Sequence, residues 1–152
     1  ALPISSLQEI AEGSFHRVIP DSGGGSSSKV TRVLLCSGKL YYELDAYRRQ
    51  HNRKDVAIVR LEQLYPFPEK QLKSALSVFP KKIPLIWVQE EPANMGALPF
   101  LLSRVQDKLS ERHPFLPLSR EESASPATGS SASHKIEQAS LIEEAFKMAV
   151  PN

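Results

Sequence analysis

The chain has 152 residues, a length that suits one domain and suffices to bury a substantial core. Apolar content of 41% with 24% charged residues is ordinary for a globular chain, and a net charge of +2 gives no basic excess of the kind that binds nucleic acid. The single cysteine, Cys36, excludes an internal disulfide and suits a reducing compartment, and no apolar run reaches the ~20 residues of a membrane span.

Ala1-Leu2-Pro3-Ile4 carries neither an initiator methionine nor a charged region ahead of a signal core, which reads as the interior of a longer chain. Residues 4–11 have helical spacing at Ile4, Leu7 and Ile10. Phe15 to Ile19 reads as a short strand ended by Pro20, and Ser22 to Ser28 as a flexible Gly/Ser loop. Together, residues 1–31 are expected to be a leading linker, and residues 32–152 the α/β domain.

Residues 32–36 are continuously apolar, as in a parallel strand covered on both faces. A helix is predicted from Lys39 to His51, with Leu40, Leu44 and Tyr47 on one stripe; its basic end, Arg48-Arg49 with Arg53-Lys54, reads as solvated. Asp55 opens a second strand. After Pro66, Pro68 stands at the start of the next helix, whose face carries Leu72, Ala75, Leu76 and Phe79. Ile83 to Val88 is the third strand, and Pro92 to Gly96 a turn. Leu98, Leu101, Leu102, Val105 and Leu109 mark one helical face. Phe115 to Leu118 is a short fourth strand that Pro117 marks as irregular or an edge. A polar loop over 123–133 then leads to a last helix, 133–149, facing inward through Leu141, Ala145 and Met148. Strands that alternate with helices in this way predict a three-layer α/β domain with a mostly parallel sheet.

Three polar motifs follow the apolar strands, so a parallel sheet would place them on its carboxyl edge, where open α/β sheets receive ligands. In Ser37-Gly38-Lys39, a backbone amide and a lysine could favour an anion, although a phosphate-binding P-loop needs a longer glycine-framed loop; the plainer reading is a tight strand-to-helix turn. Arg60, Glu62 and Gln63 leave the second strand, with Arg60 and Glu62 on one face. Gln89-Glu90-Glu91 leaves the third, and its carboxylates need cationic partners, for which Lys39, Arg60 and Arg120 are the candidates. No nucleophile, metal cluster or glycine-rich cofactor loop accompanies these groups, so bracing or protein contact is preferred to acid–base chemistry. Cys36 reads as a small buried hydrophobe. The four histidines lack metal-ligand spacing, although His134 could reach the rim.

Arg32-Val33-Leu34-Leu35-Cys36-Ser37-Gly38-Lys39-Leu40-Tyr41-Tyr42-Glu43-Leu44 resembles the opening of the C-terminal domain of the first, decarboxylating component of 2-oxoglutarate dehydrogenase. Asp55 to Pro68, Trp87 to Ala97, and Ser123 to Ser130 with His134 are similar to its later segments, in the same order. Glu12-Gly13-Ser14-Phe15 is similar to the linker that leads into that domain. One departure is Ser119-Arg120-Glu121, where the family usually shows Gly-Arg-Pro.

This resemblance implies a transketolase C-terminal-domain fold in a homodimeric parent. The parent would use thiamine diphosphate and magnesium, held on earlier domains and not by this segment, to decarboxylate 2-oxoglutarate in the tricarboxylic acid cycle. It would pass the succinyl group to dihydrolipoyl succinyltransferase in a complex that includes dihydrolipoyl dehydrogenase. The segment itself would hold the parent's domains together and, in some members, help form a regulatory pocket for acetyl-CoA or a nucleotide. Ser37, Lys39, Arg60, Gln63, Gln89, Glu90, Glu91, Arg120 and His134 are the regulatory or interface candidates; no catalytic, cofactor-binding or metal residue is assigned. The related 2-oxoadipate branch has a similar domain, and a free-standing anion- or nucleotide-binding module is the alternative of another class. A flavodoxin-like carrier is weakened by the lack of a phosphate loop. The expected location is the bacterial cytoplasm, or otherwise the mitochondrial matrix, with no membrane or nucleic-acid partner.

Overall fold

In the computed structural model, residues 7–23, 26–104 and 112–148 are described. The apolar runs form β2 (Arg32–Cys36), β3 (Val56–Leu61), β4 (Leu85–Pro92) and β5 (Phe115–Arg120), which pair in parallel. A two-residue β1 (Val18–Ile19) adds antiparallel to β3, giving the order β1-β3-β2-β4-β5. The expected strand over Phe15 to Ile19 is thus shorter, and Phe15 is exposed. β5 is an edge strand, where Pro117 removes no central ladder bond.

The helices are α1 (Leu7–Glu12), α2 (Leu40–Gln50), α3 (Glu69–Leu76), α4 (Leu98–Arg104) and α5 (Ser131–Lys147). Strand alternation divides the core into two apolar layers. Val33, Leu35, Val59 and Trp87 face α3 and α4, through Leu72, Leu76, Leu98 and Leu101. Leu34, Cys36, Ile58 and Val88 face α2 and α5, through Leu40, Leu44, Leu141, Ala145 and Phe146. This is the three-layer architecture anticipated from the alternation.

Helix faces depart from the sequence reading at three places. Leu102 is 40% exposed, because the core-facing stripe of α4 runs through the buried Leu98 and Leu101, with Phe100 partly buried beside them; Val105 and Leu109 lie outside the described residues. Leu7 and Ile10 on α1 are also exposed, and Ile4 lies outside the described residues. The last helix starts two residues earlier than expected, where the Ser130 hydroxyl accepts from the Ser133 amide as an N-cap. It closes at Lys147, with Met148 half-buried just beyond and Ala149 outside the described residues.

The basic end of α2 is the largest correction. Arg48 is not solvated: its side chain is 7% exposed and lies between Asp21 and Asp45, each at 2.6 Å. Gly23 packs against its guanidinium, so the Gly/Ser tract begins by covering a buried charge, and residues 27–29 form a short 3-10 turn. Burial opposes the charged form of Arg48, but the hydrogen bonds it donates to Asp21 and Asp45 outweigh it and raise its pKa. Arg32 and Arg53 donate to the Met148 and Phe146 carbonyls, compensating the negative end of α5.

Arg53 also holds Asp55 through two bonds of 2.8 Å. This hydrogen bonding lowers the Asp55 pKa to about 2 against the opposing effect of burial, with help from Thr31. A depressed carboxyl stabilises the fold above its ordinary value of 3.8 and loses that contribution as pH falls through 2. Urea midpoints followed down to about pH 2 should therefore fall less steeply for Asp55→Asn than for the parent chain.

Candidate functional site

Parallel β2 and β4 are neighbours, yet β2 leads on to β3 on its other side. Their carboxyl ends flank the point where the strand order reverses, the usual ligand crevice of such sheets. Lys39 follows β2, Glu90 stands on β4, and the two close this crevice with a 3.0 Å ion pair. That hydrogen bond raises the Lys39 pKa; partial burial opposes it, while Glu43 and Glu91 add to it.

Gly38 makes the turn into α2 with φ +61°, a conformation costly for any residue with a Cβ. Its amide donates to the Glu62 carboxylate, at 3.3 Å to Oε1 and 3.2 Å to Oε2. Glu62 is held in turn by Arg60 at 2.8 Å, and the Arg60 guanidinium lies 4.7 Å from the centre of the Tyr41 ring. The anion-favouring amide is therefore filled by the chain's own carboxylate. Open space surrounds the position that a Cβ would take at Gly38, so Gly38→Ala would incur backbone strain alone. The expected loss is about 1 kcal/mol of unfolding free energy, read by urea denaturation.

Gln138 on α5 ties the next part of the rim together. Its amide nitrogen donates to Glu43 at 2.9 Å and to Glu90 at 2.8 Å, while its oxygen accepts from Arg120 at 3.3 Å. Arg120 also reaches His134 Nδ1 at 2.9 Å, Thr128 Oγ1 at 3.4 Å and the Glu137 carboxylate at 3.4 Å. The Thr128 hydroxyl donates to Glu137 at 2.6 Å, fixing the loop ahead of α5.

Lys39, Arg60, Glu90, Arg120 and His134 thus share the side of the sheet that carries α2 and α5. The sequence offered Arg60 and Arg120 as partners for Gln89-Glu90-Glu91, but Arg60 pairs with Glu62 and Arg120 with Glu137. Strand alternation turns Gln89 and Glu91 to the opposite side. Gln89 is buried, accepting from Trp87 Nε1 and the Leu98 amide and donating to the carbonyls of Glu91, Pro92 and Met95. Glu91 is exposed near Gly96, where a Cβ would lie 3.1 Å from its carboxylate. Gln63 donates to the Pro66 carbonyl at 2.6 Å and braces its own loop, and Ser37 is exposed at the β2 exit.

Glu43, Thr128, Glu137 and Gln138 were missed in the sequence because polar residues on helices and loops read as solvated. The only signal was the helical spacing of His134 and Gln138. Burial, with the nearby Glu62 charge, pushes the Cys36 thiol up to about 12, so it is no nucleophile at neutral pH. Among the described residues no cluster of three His, Cys, Asp or Glu is arranged to hold a metal. Chemically, the rim is a set of polar contacts that ties α2, β3, β4, β5 and α5 together.

Residues 4–146 match the family described as 2-oxoglutarate dehydrogenase C-terminal. The chain belongs to this family. It is 41% identical over 143 residues to the 2-oxoglutarate dehydrogenase E1 component of Cupriavidus necator, covering 94% of this chain and 15% of that protein. Identity to the multifunctional 2-oxoglutarate metabolism enzyme of Mycolicibacterium vanbaalenii is 43% over 148 residues, covering 94% and 12%. The chain thus spans only a small part of these relatives. A solved split-gene transketolase, described as an inactive β4 tetramer, aligns with TM-score 0.50 over 83% of this chain and 42% of its own, at 11% identity. That likeness shows the fold alone, and it is the transketolase-like fold that the family resemblance implies. No described helix is long and apolar enough to cross a membrane.

Proposed function

We propose that this family member serves as the non-catalytic C-terminal domain of a bacterial, cytoplasmic 2-oxoglutarate-decarboxylating enzyme. The parent acts as a homodimer and passes its succinyl group to dihydrolipoyl succinyltransferase, which works with dihydrolipoyl dehydrogenase. The observation that carries this reading is the 41% identity, over 94% of the chain, to a protein named as a 2-oxoglutarate dehydrogenase E1 component.

The described residues do not fit thiamine diphosphate and its magnesium. The anion-favouring amide at the β2 exit, that of Gly38, is taken by Glu62, and Lys39 is paired with Glu90. In this reading the cofactor belongs to other parts of the parent. The rim serves as a brace: its cations Lys39, Arg60 and Arg120 are each engaged by a carboxylate of this chain, which favours bracing over capture of acetyl-CoA or a nucleotide.

Release of labelled carbon dioxide from 1-labelled 2-oxoglutarate, with thiamine diphosphate and magnesium added, tests the proposal. The full-length parent should be active and the 152-residue chain inactive. A full-length parent that ignores 2-oxoglutarate, or an isolated chain that turns it over, would overturn it. Comparison with 2-oxoadipate on the same parent decides between the two substrates.

A further inference from the structure

Next to the rim, and sharing Arg120, Thr128 and Glu137 with it, a groove of about 700 Å³ lies between α5 and the segment that follows β5, within the range of sites that accept a small ligand or a few side chains. Leu141 and Pro92 are buried at its base, and Leu118 and Pro126 line its sides. Ile136 stands on its lip and is 72% exposed. A lone exposed isoleucine needs no explanation, but one beside an apolar groove extends a continuous apolar surface.

The charge at this groove is one-sided. Glu121, Glu122, Glu137 and Glu144 line it, against the single cation Arg120. Arg120 is itself engaged by Glu137, which leaves Glu121, Glu122 and Glu144 exposed around the opening. Because the whole chain carries +2, this acidity is local. It would repel nucleic acid, free phosphate and anionic lipid, and attract Lys or Arg.

The walls are already fixed. Asn94 receives the Ser123 amide at 3.1 Å and donates to the Ser123 carbonyl at 3.0 Å, and Thr128 hangs from Arg120 and Glu137. A guest would therefore meet a formed groove and avoid the cost of ordering the loop.

We propose that this groove docks a basic amphipathic segment of a partner protein, which seats an apolar side chain against Leu118, Ile136 and Leu141 while its flanking Lys or Arg residues meet Glu121, Glu122 and Glu144. The assignment rests on shape and charge and does not depend on the parent's substrate.

The test uses the 152-residue chain and a fluorescein-labelled peptide with a central leucine flanked by lysines. Amide chemical-shift changes should cluster in residues 118–128 and 136–144. Anisotropy titration should show binding weakened about tenfold in Glu122→Lys/Glu144→Lys, and weakened also in Ile136→Ser. Both variants alter exposed side chains, so their folds should survive. The proposal fails if the peptide does not bind, if a glutamate-flanked peptide binds equally well, if charge reversal leaves affinity unchanged, or if the shifts map to Lys39 and Arg60. Preferential binding of phosphatidylglycerol vesicles would also overturn it.

Discussion

Arg48→Met should destabilise the chain by about 3–5 kcal/mol, the usual cost of removing one partner from a buried ion pair. Methionine fills much of the arginine stem's volume, so the loss reports charge more than cavity. It strands Asp21 and leaves Asp45 with the exposed Arg49 as its remaining cation, although both carboxylates are largely buried. Asp21 Oδ1 also accepts the Ile58 amide at 3.2 Å, so the damage reaches the β3 ladder. Arg49 supplies the control. It binds the same Asp45 at 2.8 Å, but its side chain is 77% exposed, and Arg49→Met should cost no more than about 0.5 kcal/mol. Urea midpoints of the two variants test the contrast, and equal midpoints would refute the burial of Arg48. Adding Asp21→Asn and Asp45→Asn to Arg48→Met should recover part of the loss, since neutral amides are cheaper to bury than orphaned carboxylates.

These neighbouring arginines show where sequence reading stops. Apolar runs of strand length reveal β2, β3 and β4 because residues covered on both faces must be apolar almost throughout. Motifs behind them fall on one edge because the strands are parallel, which is why Lys39, Arg60 and Glu90 do converge. Which charge meets which is a different matter. Asp21 stands 27 residues before Arg48, and Gln138 stands 48 residues beyond Glu90; neither separation leaves a local pattern. Gln89-Glu90-Glu91 reads as one cluster, yet the two-residue period of a strand sends its middle member to one side and its outer members to the other. The carboxyl rim was thus visible as a place, while its wiring depended on helix packing that brings α2 and α5 against the same sheet face.

Gln89→Leu carries the second large expectation, a loss of about 3 kcal/mol. Leucine matches the shape, but it leaves two buried donors, Trp87 Nε1 and the Leu98 amide, without the oxygen that each reaches at 2.9 Å. It also removes the donor that gathers the carbonyls of Pro92 and Met95, at 3.1 and 2.8 Å, into the turn before α4. Gln89→Glu separates these roles. A carboxylate can still accept from Trp87 and Leu98, but it faces the turn carbonyls with no proton to give. That variant should be destabilised at neutral pH and recover as pH falls, because burial raises its pKa and the protonated acid regains one donor. Trp87 fluorescence during urea unfolding measures both variants, and exchange of the Leu98 amide measures the turn separately. Faster exchange in Gln89→Leu, with the Gly38 amide unaffected on the other side of the sheet, would place the damage at the entrance to α4; unchanged exchange and an unchanged midpoint would show that Gln89 does not hold that turn.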